Sequence, residues 1–301
     1  MTLEQLRIFV AVAEREHVTR AAEDLNLTQS AVSAAVSNLE GRYAARLFDR
    51  IGRRIALTEA GRLFLVEARA VLARADAAET VLADLAGLKK GRLSLAASQT
   101  VASYWLPARL HAYRARFPGV AVSLAIANTD AVAAAIHDGE ADVGVVEGVI
   151  DDPALRAVPV AWDEMALVAP PSHPWASPSR GADWSPSPTD LASARWVLRE
   201  PGSGTRALLE TAIREAGLAF DALDVALELP SNEAVRAAVE AGAGASVMSR
   251  LVAAGGLASG SLREIPADLP RRRFIALTHK ERYATRAAAA FLDLLAETPA
   301  A

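Results

Sequence analysis

Apolar residues near the N-terminus return every three or four positions. Leu3, Leu6, Phe9, Val10 and Ala13 fall on one side and predict an amphipathic helix. A shorter helix fits VTRAAEDL, with Ala21, Ala22 and Leu25 inward, and Asn26-Leu27 predicts a tight break. Thr28 suits the N-cap of a third helix, in which Val32, Val36 and Leu39 stand at i, i+4 and i+7 and must face inward. The outward face is then Gln29, Ser30, Ser33, Ala34, Ser37 and Asn38. Short polar side chains and alanine let such a helix approach another surface closely. The Gln29 amide can meet adenine through two hydrogen bonds, and alanine can touch a thymine methyl group.

The period then changes. Leu47–Arg50 and Ile55–Leu57 read as two short strands around Ile51-Gly52-Arg53-Arg54, a hairpin with arginines at its tip. Helix, turn, helix and basic wing is a DNA-binding arrangement, one helix entering the major groove and the wing reaching the minor groove. The candidate DNA contacts are Thr28, Gln29, Ser30, Ser33, Ala34, Asn38, Arg50, Arg53 and Arg54. Thr58 opens a long helix to about Gly87, along which Phe64, Ala68, Val71, Ala75, Ala78, Leu82 and Leu85 make a seven-residue repeat. A narrow apolar seam on one long helix needs a partner. A second copy of the chain fits, and the alternative is the chain's own C-terminal region.

Beyond Lys89-Lys90-Gly91 the pattern alternates between strands and helices. GRLSLAAS (91–98), VAVSLAIA (120–127) and VGVVEG (143–148) read as strands. Between them lie a helix through Leu106, Leu110, Tyr113 and Phe117, and a helix TDAVAAAIHDGEAD with Thr129 as its expected cap. EMALVAP (164–170) starts a second series, with strands near 195–199, 225–229 and 244–248 and helices near 205–217 and 231–242. ASPSRGADWSPSPTD (176–190) is read as a surface loop of this second series rather than an interdomain linker. FIALTH (274–279) and TRAAAAFLDLLAET (285–298) are expected to return to the first series. Two α/β lobes with chain crossings between them form a hinged cleft.

Composition narrows the classes. No apolar run reaches the roughly 18 residues that span a bilayer, and the N-terminus lacks a signal-peptide profile, so a cytoplasmic protein is expected. Zero cysteines exclude disulfides and thiolate ligands, and five scattered histidines suggest no metal site; no cofactor is expected. The chain carries −4, but residues 1–90 hold 13 Lys/Arg against 12 Asp/Glu, so the acidic excess lies in the rest. Five arginines within residues 42–54 face one acid, Asp49, a concentrated basic patch of the kind that meets phosphates.

The cleft carries its own chemistry. In EPGSGTR (200–206), Gly202 and Gly204 let backbone N–H groups converge where a helix begins, and Ser203 and Thr205 add hydroxyls. Such a nest attracts anions. Ser98, Gln99, Thr100 and Thr129 occupy strand-to-helix turns opposite, and Asn232 opens another helix. Glu147 ends a strand there, either to accept a proton or hydrogen bond from a ligand or to pair with an arginine. These ten residues are the candidate effector contacts. An enzyme acting on a phosphorylated substrate fits poorly. GSGTR lacks the Gly-Lys-Ser/Thr of a P-loop, and no Ser/His/Asp constellation appears. A solute-binding protein would leave the first ninety residues without a role.

FVAVAE, TRAAEDLNLTQSAVS, LE and LFDRIGRRIALTEAG, in this order and spacing, resemble the N-terminal region of LysR-type transcriptional regulators. The chain departs from the usual pattern at Ala34-Ala35, at His17, where a small hydroxyl residue is usual, and at RYAAR (42–46), where a glycine-containing turn is usual. REPGSGTR, ASQT, ANTD and VVEG resemble the branch that senses sulfur-assimilation or carbon-fixation metabolites. The resemblance implies an N-terminal all-α winged helix-turn-helix (1–58), a linker helix for dimerisation (59–90) and a two-lobed α/β periplasmic-binding-protein-like effector domain (91–301). Lobe I would be 91–162 with 270–301, and lobe II 163–269. It implies no enzyme but a regulator of promoter DNA, a homodimer pairing further into a homotetramer, with room for contact with RNA polymerase. The implied effector is a small anion, a sulfite-like oxyanion or a phosphorylated metabolite.

Overall fold

The structure, a computed structural model, describes residues 1–51, 54–85, 91–148, 150–177, 179–180 and 184–297. The chain divides into two compact units, Met1–Leu88 with Asp138–Glu140, and Lys89–His137 with Ala141–Ala301.

The first unit runs α1 (Leu3–Arg15), α2 (Val18–Asp24), α3 (Gln29–Tyr43), β1 (Phe48–Ile51), β2 (Arg54–Leu57) and α4 (Glu59–Leu85). Its helices start where side chains can take up the free N–H groups of the first turn. Thr2 and Gln5 form a capping box on α1, and Thr28 Oγ1 accepts from Ala31 N at 3.2 Å to start α3. The core joins Leu6, Phe9 and Val12 of α1, Ala21 and Ala22 of α2, and Val32 and Leu39 of α3. The Phe9 ring meets Phe48 at 5.4 Å and Phe64 at 4.8 Å, so α1 is the post on which hairpin and long helix rest.

The long helix differs from its expected single seam. Ala68 is buried and Phe64 and Leu72 pack into the α1 core, whereas Val71, Ala78 and Leu82 stay exposed. The heptad positions therefore split between the chain's own helix-turn-helix and an outward face, because α1 packs along the N-terminal half of α4, from Phe64 to the Arg7–Asp76 pair. Arg69 Nη2 meets Glu14 Oε1 at 2.8 Å on the same α1–α4 contact. No helix among the described residues is long and apolar enough to cross a membrane.

The second unit holds two lobes. Lobe I contains β3 (Gly91–Ser98), α5 (Leu106–Arg116), β4 (Val120–Ala127), α6 (Thr129–Asp138), β5 (Val143–Glu147) and β6 (Leu155–Asp163). The chain crosses into lobe II through β7 (Met165–Ala169), α7 (Pro188–Ser193), β8 (Arg195–Arg199), α8 (Gly204–Glu215), β9 (Asp224–Leu229), α9 (Asn232–Glu240), β10 (Ser246–Ser249), α10 (Arg250–Ser259) and β11 (Arg263–Ile265). It returns through β12 (Arg272–His279) and α11 (Arg286–Glu297). Lobe I has strand order β4-β3-β5-β12-β6, with β3 parallel to its neighbours and β12 antiparallel to both of its own. In lobe II, β10-β7-β11 is antiparallel and β8-β9 parallel, and the two sets join where Trp196 bridges Ala245. All five residues of β5 are buried, as its unbroken apolar run requires.

Several features depart from the sequence pattern. β6 was not expected, because Pro159 sits in its middle and its exposed residues blur the alternation. An edge strand tolerates the missing N–H, and β6 carries an extra residue, Val160, opposite the Phe274–Ile275 step of β12. α10 forms despite Gly255-Gly256, because Gly256 lies hard against Leu262, where a Cβ would come within 2.7 Å. Thr129 does not cap α6: the Asn128 side chain accepts from Ala131 N at 3.0 Å and takes that role.

Candidate functional site

On the first unit, Thr28, Gln29, Ser30, Ala34 and Asn38 are exposed on α3 and Ser33 is half-buried, while Val32 and Leu39 hold the opposite side in the core. The first acid in α3, Glu40, turns back to accept from Leu47 N at 2.7 Å and Phe48 N at 3.1 Å. The same carboxylate thus anchors the wing, and the outward face stays neutral and short. Asn26 takes a left-handed φ of 55° between α2 and α3, a conformation asparagine tolerates. Arg53 and the side chains of Arg50 and Arg54 lie outside the described residues. In the β1–β2 hairpin Arg50 pairs with Ile55 and Arg54 with Ile51.

In the second unit the cleft residues converge from both lobes. Ser98 ends β3, Thr100 and Gln99 follow it, and all but Gln99 are buried. Glu147 ends β5, and Ser203, Thr205 and Asn232 are buried at the starts of α8 and α9. Gly202 carries a φ of 81°, which favours glycine. Gly204 is needed for a different reason. A Cβ there would stand 2.7 Å from the Glu147 carbonyl and 3.0 Å from Thr129 Oγ1, so this glycine lets lobe II press on the end of β5.

Hydrogen bonds sort the candidates. Gln99 bridges the cleft, donating to Pro230 O at 2.8 Å and accepting from Asn232 N at 2.9 Å. Its amide is thus engaged with the opposite lobe. Thr129 Oγ1 donates toward Glu147, with Oε2 at 3.5 Å and the carbonyl at 3.4 Å. Ser203 makes no side-chain cap on α8, so the first-turn N–H groups of that helix keep no such partner. Ser98 Oγ is buried and has no hydrogen-bond partner among the described residues. Arg206 turns from the cleft and pairs with Glu210 and Glu228.

Buried charges lie beneath this cradle, and no local sequence pattern marks them. Arg272, 5% exposed, donates Nε to Asp163 Oδ2 at 2.7 Å and Nη1 to Thr205 Oγ1 at 3.0 Å. Its Nη2 reaches Thr100 Oγ1 at 3.5 Å and Glu147 Oε1 at 3.6 Å, so Glu147 has an arginine partner. Asp163 also accepts from Ser249 Oγ at 2.6 Å, and burial pushes its carboxyl above the ordinary value against the pull of Arg272. Arg199 is buried as well, bound to Asn232 Oδ1 and to both oxygens of Glu200. Arg272 hides in the run PRRR, which reads as surface charge. Its position at the first residue of a strand that recrosses the cleft was the available signal. Among the described residues no group of three histidine or acidic side chains could hold a metal ion.

The chain matches two family descriptions: bacterial regulatory helix-turn-helix protein, lysR family, over residues 3–62, and LysR substrate binding domain over residues 86–300. It is 35% identical over 295 residues to the uncharacterized HTH-type transcriptional regulator YeiE of Escherichia coli (strain K12), covering 97% of this chain and 96% of that one. A probable RuBisCO transcriptional regulator of Cyanidioschyzon merolae is 34% identical, over 96% of each chain. Full-length CbnR in complex with its target DNA has the same fold, with TM-score 0.71 over 98% of this chain and 99% of that one at 24% identity. The regulatory domain of CcmR from Synechocystis PCC6803, solved with 2-PG, matches at TM-score 0.61 and 27% identity, over 69% of this chain and 96% of that one. The chain belongs to the LysR family: it is a DNA-binding transcription regulator with an effector-binding domain, not an enzyme.

Proposed function

We propose that this regulator reads a pseudo-palindromic promoter site as a dimer and is switched by a small oxyanion, a sulfite-like ion or a phosphorylated metabolite, held in the interlobe cleft. The observation that carries the reading is the set of buried hydroxyls at the start of α8, which has no side-chain cap: Thr100 and Thr205, both held by Arg272, and Ser98, whose Oγ has no partner among the described residues. Arg272 is balanced by Asp163 and Glu147, so hydroxyl donors and helix N–H groups in a buried site are what suit an anion. The 2-PG complex of CcmR supports a small-metabolite ligand in this domain.

Residues 1–58 dock α3 in the major groove through Thr28, Gln29, Ser30, Ser33, Ala34 and Asn38, with Arg50, Arg53 and Arg54 on the wing. Residues 59–90 pair two chains through the exposed Val71, Ala78 and Leu82 face of α4. Residues 91–301 sense the effector and pair again into a tetramer, and the protein works in the cytoplasm. The α5 segment LPARLHAYRAR has four basic or titratable nitrogen side chains and no acid. The edge strand β9 exposes Val225 and Leu227, an apolar face for a second copy, while its Asp224 and Glu228 pair with Arg195 and Arg206 of the same chain. A ligand that binds the closed cleft more tightly shifts the lobe equilibrium and thereby the DNA-binding heads.

Calorimetric titration of the full-length protein with sulfite, sulfate and sugar phosphates tests the effector reading; no heat with any of them sinks it. On DNA, Gln29→Ala is expected to weaken specific binding by about 1–3 kcal/mol while tryptophan fluorescence of the effector domain stays unchanged. Unaltered affinity in a gel-shift titration at fixed salt would count against the docking of α3.

A further inference from the structure

Four backbone N–H groups between α3 and β1 close on one residue. The Glu40 carbonyl accepts from Ala44 N, at the C-cap of α3, and from Ala45 N at 3.1 Å. Its side-chain Oε1 accepts from Leu47 N at 2.7 Å and Phe48 N at 3.1 Å. A carboxylate in the last turn of a helix faces the negative end of the dipole, so α3 alone gives no reason for an acid there. The strand supplies one, because hydrogen bonds to an ionised acceptor are roughly twice as strong as neutral ones. Among the described residues, the hydrogen bonds that lead from α3 to the wing all end on Glu40. The other ties at the base of the wing run elsewhere. Thr58 N donates to Leu47 O at 3.0 Å and Thr58 Oγ1 to Arg46 O at 2.8 Å, joining the wing to the start of α4. Ile55 N donates to Glu16 O at 3.4 Å, just past the end of α1.

We propose that Glu40 is a positioning residue for DNA recognition: it fixes the angle between α3 and the wing, so that helix and wing engage DNA as one rigid unit. The inference rests on the docking of α3 and the wing proposed above. Phe48 opens the hairpin and pairs with Leu57, so whatever holds Phe48 sets the direction of both strands. Ile51 stands three residues further, about 10 Å along the strand. A tilt of about 15° at the base displaces it by roughly 2–3 Å, enough to break a hydrogen bond to DNA. Glu40 thus acts on DNA through the wing. Its own charge can only repel phosphates.

The test is a thermodynamic cycle on the full-length protein. Binding is read by gel-shift titration at fixed salt on a DNA fragment that the wild type selects from a random-sequence pool. Arg53→Ala probes the wing and Gln29→Ala probes α3. In the wild type, Arg53→Ala is expected to weaken binding about tenfold. Glu40→Ala and Glu40→Gln both remove the charge, but glutamine keeps an acceptor for Leu47 N and Phe48 N. In the Glu40→Ala background the Arg53→Ala effect should shrink to about twofold or less, and in Glu40→Gln it should stay near tenfold. Gln29→Ala should cost the same factor in all three backgrounds. An undiminished Arg53→Ala effect in Glu40→Ala overturns the inference and leaves the docking standing. So does a Gln29→Ala effect that shrinks in parallel, because the whole head is then disordered, and so does a Glu40→Gln that behaves as Glu40→Ala. A wild type that selects no DNA, or that shows no Arg53→Ala effect, overturns both. Where Glu40→Ala loses its helical circular dichroism, Glu40→Asp decides. Aspartate keeps the charge but is one methylene shorter, and should lose most of the Arg53→Ala effect; a tenfold effect retained, or a fold lost here too, overturns the inference.

Discussion

Gly204→Ala probes the closed cleft with one methyl group. Gly204 is the first residue of α8 and its φ is not in the left-handed region, so alanine meets no backbone strain there. Helix propensity alone would favour alanine by up to about 1 kcal/mol. The packing says otherwise. The new Cβ would stand 2.7 Å from the Glu147 carbonyl and 3.3 Å from Glu147 Cβ, where ordinary contact starts at 3.4 Å. Backbone on both sides cannot yield as a long side chain would, so the lobes must part by about 0.7 Å or the start of α8 must bend, at a cost of about 1–3 kcal/mol. Net destabilisation of about 1–2 kcal/mol corresponds to a melting temperature lower by roughly 2–8 °C for a unit of this size. All five tryptophans (Trp105, Trp162, Trp175, Trp184 and Trp196) lie in the second unit, so intrinsic fluorescence follows that unit alone. Gly255→Ala is the control. Gly255 lies inside α10 with nothing within 4 Å of its Cβ position, and alanine there should stabilise by about 0.5–1 kcal/mol. A Gly204→Ala melting temperature equal to or above the wild type would refute the packing argument.

Two further outcomes follow from the described geometry. Ala44 ends α3 at a φ of 50°, at the turn where the family usually places glycine, and Ala44→Gly should stabilise the first unit by about 1 kcal/mol in chemical denaturation followed by circular dichroism. Arg272→Met strands the buried Asp163 and Glu147 carboxylates and should cost about 3–5 kcal/mol near neutral pH. Burial already raises the Asp163 carboxyl, so the folded variant binds its proton more tightly than the unfolded chain does. Its stability should therefore improve relative to neutral pH as the pH falls through that raised value, and urea titrations across the acid range should show the deficit narrowing. A deficit that stays constant or widens with acid would contradict this.

Much of the architecture was legible because period and punctuation agree. Thr28 caps α3 where the hydroxyl stands before an apolar-periodic run, and the unbroken VGVVE forms a fully buried strand. β6 and α10 were not, since Pro159 and Gly255-Gly256 are local signals against the structures that their neighbours impose. The candidate cleft residues were named from turns and glycines, and they do converge. Their division of labour came only with the contacts: Gln99 and Asn232 bind across the cleft, and Thr129 faces Glu147.

The sequence by itself determined most of the helices and strands, and that a DNA-reading head precedes a two-lobed sensor, because periodicity and capping act over neighbouring residues. Tertiary structure alone decided which charges lie at the centre. Arg272 and Asp163 stand 109 residues apart and meet only because two strands cross between the lobes. No local pattern can show that one arginine of a PRRR run is buried against two carboxylates, or that Gly204 is small to fit a carbonyl on the far side of the cleft.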